Sequence, residues 1–524
     1  MNKQRNQKKL SIYVTLLIVV ICLFGISFAL FKFNASQATQ NDITTLNCFE
    51  VEYSDVTDAI SITNDFPILD AEGLKRTPYT FKIKNKCSQF LNVQIGVETL
   101  TTSQIEPNLI KGVITKKGET PTSAKLLSAG IPGTPVNGGT NYILLEDTIY
   151  GSQEKEYDLR LWFTESMTKE QGSGKTYQGK VTVISSPKTE EPVQFLTAIK
   201  RDNTVTVPTT TPGKEVSADT EAVLASTQDD YGTSYYFRGA VKNNYVQFAN
   251  KCWRIVRVSG DGSVKLILYN DNTANAANPC SSANNSTSAA TSAAFARYSG
   301  TTYTSKFNSG YLDNAYVGFK YGTVGSSTYA ATHANTNKST ILTNLETWYN
   351  NNLKTYESVI DDTVWCNDKT NVTDKTYDPF GINPTGLGYA KNVTYYGATQ
   401  RLISTSNSAG GTGPSLKCNG ELSKINSKVG LITADELAFA GYAFNHENTT
   451  TYLQENATDT GWWSLSPFGF GGVNAIVWVV VGGYGGFDVN NVGDTRGLRA
   501  SISLKPSTNV TGNGSSDTPY KIVS

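Results

Sequence analysis

Histidine is almost missing from this chain, with only His333 and His446 among 524 residues. Imidazole is the commonest metal ligand and the side chain best suited to proton transfer near neutral pH. Its scarcity argues against zinc chemistry and against histidine-based acid–base catalysis. Both histidines lie in Asn/Thr-rich stretches without a G-x-S-x-G turn, so no nucleophilic triad can be assembled. Charge imbalance is missing as well: Lys plus Arg and Asp plus Glu each number 45. That balance gives no electrostatic argument for a nucleic-acid partner. No C-x-x-C pair occurs, which speaks against zinc ribbons and thioredoxin-type redox sites. The acids at Asp361-Asp362 and between Asp488 and Asp494 do not follow EF-hand spacing and read as solvated loops. The expectation is a protein that is not an enzyme and uses no cofactor or metal.

What is present points outside the cell. Lys3, Arg5, Lys8 and Lys9 precede an uncharged run from Leu10 to Phe31. As a helix that run would extend about 33 Å, enough for a bilayer core, and its basic flank sets the N-terminus inside. Residues 1–34 are therefore expected to form a cytoplasmic stub and a transmembrane export or anchor helix. A cleaved signal ending near Ser36-Gln37-Ala38 would export the remainder equally. Cys22 falls in the apolar run. Cys48, Cys87, Cys252, Cys280, Cys366 and Cys418 form an even set in the exported region, where disulfides are expected. Cys48–Cys87 is the pairing expected in the first half. The last four cysteines allow three connectivities, with Cys252–Cys280 and Cys366–Cys418 chosen on proximity.

The chain divides by texture. Residues 35–186 alternate with period 2 at Phe49, Val51 and Tyr53, at Tyr79, Phe81 and Ile83, at Leu91, Val93, Ile95 and Val97, and at Tyr157, Leu159, Leu161 and Phe163. Such runs between turn-forming clusters predict an antiparallel β-sandwich. Residues 187–231, with Pro187, Pro192, Pro208 and Pro212, read as an extended Pro/Thr linker. Residues 232–524 read as an α+β domain. Hairpins are expected over Tyr235–Phe248 and around Gly260-Asp-Gly262, with Lys251–Val258 and Val264–Leu268 as the arms of the second. A helix is expected from Ser339 to Tyr356, and another at the Thr433-x-x-Glu436 capping box. Short strands are expected at Trp462-Trp463, Val477–Val479 and Ala500–Leu504.

Two resemblances follow from quoted motifs. The export helix, Phe49-Glu-Val-Glu-Tyr53, Ile60-Ser-Ile62, Tyr79-Thr-Phe-Lys-Ile-Lys-Asn85 and Lys175–Val183 resemble the TasA/camelysin family of Gram-positive surface fibre proteins. That likeness implies a jelly-roll-like sandwich and self-association through it. Tyr236-Phe-Arg-Gly239, Cys252–Arg257, Gly430–Glu436, Trp462–Pro467 and Gly497–Leu504 resemble C-terminal modules of Firmicutes surface proteins, with a fold related to C-type lectins and the formylglycine-generating enzyme. The cysteines that enzyme requires late in its domain have no counterpart after Cys418. Related lectin-like modules display sequence-diversified ligand surfaces, some varied at asparagine codons.

The segment from Phe468 to Arg496 mixes Gly with Tyr, Phe, Asn and Asp, a composition that puts rigid aromatic contacts on an adaptable backbone. Phe468, Phe470, Asn474, Tyr484, Phe487, Asp488, Asn490 and Asn491, with Trp462 as a possible sugar-stacking face, are the expected ligand contacts. The alternative reading makes Val477–Val481 a buried strand and the glycines hairpin turns. The composite expectation is a membrane-attached surface adhesin presenting a lectin-like domain to an extracellular protein or glycan, with a diversified ligand surface as a variant of that reading. A fibre subunit polymerising through the sandwich is the alternative.

Overall fold

The computed structural model describes residues 33–36, 49–53, 60–63, 65–86, 90–150, 153–188, 191–216, 221–281 and 290–523. The apolar run from Leu10 to Phe31 and the expected Cys48–Cys87 pair lie outside these residues. Among the described residues no helix is long and apolar enough to cross a membrane. The chain forms two compact units, Met1–Glu190 and Glu191–Ser524.

The first unit is a β-sandwich, as its alternating pattern predicts. One sheet runs Phe33–Ser36, Thr176–Lys188, Phe90–Thr99, Thr140–Ile149 and Ile131–Gly133, with Ile60–Thr63 also paired to Thr176–Lys188. The other runs Phe49–Tyr53, Tyr79–Asn85, Glu154–Phe163, Ile110–Lys116 and Lys125–Leu126. Every second residue faces inward because strand side chains alternate. Phe49, Val51, Phe81, Ile83, Val93, Ile95, Val97, Tyr157 and Leu159 thus share one core. The register sets Phe81 opposite Tyr157, and their rings stack at 5.6 Å. Phe33 and Asn34, expected at the end of the export helix, instead pair with Ser185 and Ile184. Residues 33 and 34 therefore belong to the sandwich.

The second unit has two mixed sheets around one core, with few helices. The larger sheet runs Val193–Gln194, Asn509–Thr511, Tyr520–Val523, Tyr245–Phe248, Lys251–Val258, Gly232–Gly239 and Ala222–Asp229, with Val264–Asn270 and Ser501–Leu504 branching from Lys251–Val258. The smaller runs Thr304–Lys306, Thr495–Gly497, Trp462–Phe470, Ala475–Val480 and Phe487–Asn491. The expected linker is corrected here, since residues 191–231 are part of this unit. They supply the helix Phe195–Asp202, which buries Phe195, Ala198 and Ile199, and the strand Ala222–Asp229. The spacing of Phe195, Ala198 and Ile199 is one helical face, too short to register against the surrounding prolines and threonines.

The hairpin expected over Tyr235–Phe248 does not form. Gly232–Gly239 pairs with Ala222–Asp229 and with Lys251–Val258, and Tyr245–Phe248 pairs with Lys251–Val258 and Tyr520–Val523. The hairpin at Gly260–Gly262 does form, with Val258 opposite Val264. The helix Thr340–Asn352 begins where Ser339 Oγ accepts the Leu342 N–H, and it buries Ile341, Leu342, Leu345, Trp348 and Tyr349. Cys252–Cys280 and Cys366–Cys418 are the two disulfides of this unit, with Cα separations of 5.1 and 5.5 Å.

Candidate ligand-binding site

The glycine-rich segment folds into an antiparallel meander of Trp462–Phe470, Ala475–Val480 and Phe487–Asn491. β-branched and aromatic residues make the strands, and the glycines make the turns between them. At the first turn Gly471 N–H donates to Asn474 O, and Gly472 has φ +86°. At the second, Val481 N–H donates to Gly486 O, with Gly483 at φ +78° and Gly485 at +67°. Both angles belong to the left-handed region that glycine enters without steric cost.

This geometry corrects part of the expected ligand set. Trp462, Phe470 and Phe487 are fully buried and Phe468 nearly so, leaving no ring face for a ligand. Their apolar area goes instead into an aromatic cluster. Trp478 lies 4.7 Å from Phe487, 5.7 Å from Phe468 and 5.8 Å from Phe444, and Phe468 lies 5.9 Å from Tyr395. Phe380 closes the cluster toward the surface, 5.5 Å from Phe468. Trp462 lies under the Arg499 guanidinium, 4.8 Å from its ring centre. Trp253 and Trp348 are likewise core, in edge contact at 6.1 Å.

The polar members of the set remain accessible. Tyr484 is 48% exposed. Asp488 is exposed, and Asn474, Asn490 and Asn491 are half-buried. Tyr484, Phe487 and Asp488 share a cleft of about 220 Å³ with Asn445, His446, Glu447, Val481 and Gly486. Asn445 to Glu447 were not foreseen, because they lie some forty residues upstream in sequence and carry no motif. Three backbone hydrogen bonds join the two walls: Asn445 N–H to Phe487 O at 2.9 Å, Phe487 N–H to His446 O at 3.3 Å, and Asn448 N–H to Tyr484 O at 3.0 Å. A Cβ on Gly486 would lie 2.6 Å from Tyr484 Cε2, so the tyrosine ring rests against that glycine. A Cβ on Gly485 would meet Asn448 O at 2.1 Å. The wall-to-wall contact therefore needs glycine at 485, while glycine at 486 leaves room for the ring. His446 Nδ1 stands 3.7 Å from Glu215 Oε1 on the same surface.

Two other clusters concentrate charge. Around a small cavity of about 40 Å³, Arg257 pairs with Asp229 at 2.9 Å and with Glu436 at 2.8 Å, and Lys265 pairs with Glu436 at 2.6 Å. Arg401 bridges Asp435 and Asp368, each at 2.7 Å. Asp435 and Glu436 lie in the first turn of the helix Ala434–Ala440. Glu436 does complete the capping box with Thr433, but both residues are also buried and salt-bridged. Burial would raise the Glu436 carboxyl, yet Lys265 and Arg257 hold it at about 2. The Cys366–Cys418 disulfide borders the cavity, where Cys418 N–H donates to Asp230 at 3.1 Å and Ser415 N–H to Asp435 at 2.9 Å. Each acid of this cluster named here carries a cation or backbone N–H as partner, an arrangement that locks strands and loops together.

The second cluster surrounds His333, which ends the short helix Tyr329–His333 rather than lying in a loop. Its Nε2–H donates to Gly388 O at 2.6 Å, and its ring lies between those of Tyr329 and Tyr396. Burial, with Lys369 nearby, pushes its pKa down to about 3. Lys369 Nζ donates to Lys320 O, His333 O and Asn335 Oδ1, and burial lowers it to about 7. Among the described residues no group of three or more His, Cys, Asp or Glu is arranged to hold a metal ion.

No family model matches the chain, and no curated protein matches it. Among solved structures, the chain is similar to one described as the crystal structure of infectious bursal disease virus VP2 subviral particle. The similarity has 12% identity and a TM-score of 0.13, over 29% of this chain and 32% of that one. The chain thus spans about a third of that protein's length, and a likeness of this size carries no argument about fold or role.

Proposed function

We propose that this chain is a surface recognition protein, membrane-attached through its N-terminal apolar run, whose lectin-like second unit binds an extracellular protein or glycan. The single observation that carries the reading is Tyr484. A half-exposed tyrosine sits on a glycine turn whose backbone is tied to the Asn445–Asn448 segment over a buried aromatic floor. Rigid aromatic side chains on a preorganised backbone lose little entropy on binding, which favours recognition. Asp488, Asn490 and Asn491 on the adjoining edge strand extend the contact surface. If the segment is diversified, variation is tolerated at these positions and at Asn474, where side chains reach solvent, and not in the buried Val477–Val480 strand.

Arrays of glycans and extracellular proteins probed with the full chain test the reading. Tyr484→Ala is expected to abolish a signal that the parent chain gives, with an unchanged melting temperature. A signal indifferent to Tyr484→Ala would remove the cleft from the function.

A further inference from the structure

We propose that the Tyr484 cleft takes a basic side chain, arginine or lysine, presented by a protein ligand. The inference rests on the recognition reading above and deepens it by naming what the cleft binds. Its lining carries two carboxylates, Glu447 and Asp488, and no lysine or arginine. Glu447 is exposed and has no hydrogen-bond or ion-pair partner among the described residues. Asp488 accepts only the N–H of its neighbour Val489. Elsewhere in this unit acids near a cavity are paired, as Asp229, Asp435 and Glu436 are. The cleft therefore holds negative charge that the fold leaves uncompensated.

The aromatic components fit the same guest. Tyr484 presents a half-exposed ring fixed against Gly486, and the half-buried Val481 adds apolar surface to the lining. A guanidinium or ammonium group is attracted to an aromatic face and to carboxylates together, while its methylene stem covers apolar surface. A volume of about 220 Å³ suits one such side chain. A sugar ring would use the tyrosine but would leave two carboxylate charges unneutralised.

The test uses the full chain and fluorescein-labelled hexaarginine and hexalysine peptides, followed by fluorescence anisotropy. Hexacitrulline serves as the neutral isostere. Binding of either basic peptide is expected to weaken at least about tenfold in the Glu447→Gln/Asp488→Asn double variant, in line with the loss of close charge pairs. Asp361→Asn/Asp362→Asn, a matched charge change elsewhere on the unit, is expected to leave it unchanged. Equal binding of hexacitrulline, retention of affinity in the double variant, or an equal loss in the control variant would each overturn the proposal. N-acetylglucosamine, an uncharged sugar, competing as well as N-acetyl-arginine amide would overturn it in favour of a glycan. The parent reading fails separately. An array ligand lost on Tyr484→Ala but indifferent to the Glu447/Asp488 change leaves recognition standing and removes the basic side chain.

Discussion

Replacing Gly485 by alanine tests whether the cleft walls are held together as described, and Gly483 supplies the internal control. Both glycines sit in the left-handed region, at φ +67° and +78°. An L-residue there costs about 1–2 kcal/mol, offset by roughly 0.4–1 kcal/mol from the stiffer unfolded chain. Gly483→Ala should therefore cost only about 1 kcal/mol, since nothing lies within 4 Å of the added Cβ. At Gly485 the Cβ would stand 2.1 Å from the Asn448 carbonyl oxygen, and backbone must move. That movement strains the Asn448 N–H to Tyr484 O bond, worth about 1 kcal/mol, and adds local repacking of similar size. The total for Gly485→Ala is about 3 kcal/mol. For a unit of about 330 residues the unfolding entropy is about 0.7 kcal/mol per degree, so the melting temperature should fall about 4 °C, against about 1 °C for Gly483→Ala. Calorimetry of the full chain measures the difference, and hydrogen exchange should show the Asn448 amide losing protection only in Gly485→Ala. Equal melting shifts in the two variants, or unchanged protection at Asn448, would refute the wall-to-wall contact.

The remaining predictions concern the unit's interior. Cys366→Ser/Cys418→Ser removes a cross-link spanning 52 residues, worth about 4 kcal/mol by loop-closure entropy, so the melting temperature should fall about 6 °C in non-reducing buffer. A change under a degree would show that the clasp contributes nothing. Glu436→Gln strands Lys265 as a buried cation and leaves Arg257 with Asp229 alone, and a loss of about 3–5 kcal/mol is expected in urea titrations. Because the Glu436 carboxyl is held at about 2, its stabilisation is complete above the ordinary carboxylate range and disappears as pH falls through 2. The Gln variant should then be less acid-sensitive than the parent. For His333 the folded pKa of about 3 lies below the unfolded value of 6.5, so only the unfolded chain binds the proton between them. Stability should fall with decreasing pH across that window by up to about 1.4 kcal/mol per unit, and His333→Gln should flatten the urea-midpoint slope between pH 4 and 6.5. Parallel slopes would contradict a buried neutral imidazole.

Several local features were legible because short-range chemistry decides them. Ser339 and the Thr433–Glu436 capping box mark their helix starts through hydrogen bonds to residues three positions on. Gly260–Gly262 makes its turn from its own backbone freedom, and the alternation at Phe81, Ile83, Tyr157 and Leu159 is the β period itself. The linker reading failed at both of its ends. Ala222–Asp229 forms a hairpin with Gly232–Gly239 across Asp230 and Tyr231 that the neighbouring prolines and threonines masked, and Val193–Gln194 is a strand only because the remote Asn509 and Val510 lie beside it.

The candidate site divides along the same line. Composition singled out the segment between Phe468 and Arg496 as a candidate binding loop, and length and β-branching marked Val477–Val479 within it as a buried strand. What composition could not decide was the destination of each aromatic ring, because Phe487 and Tyr484 look alike as residues of a glycine-rich loop. Their separation comes from three dimensions. Phe487 lies opposite Val480 in the sheet and packs on Trp478, while Tyr484 sits at the turn with a glycine beneath its ring. Nor could the sequence bring Glu447 and His446 to that turn, since the contact depends on backbone bonds between segments that meet only once the core beneath them has closed. Local backbone preference and side-chain period determined the elements; long-range packing decided which residues they bury and which they offer to a ligand.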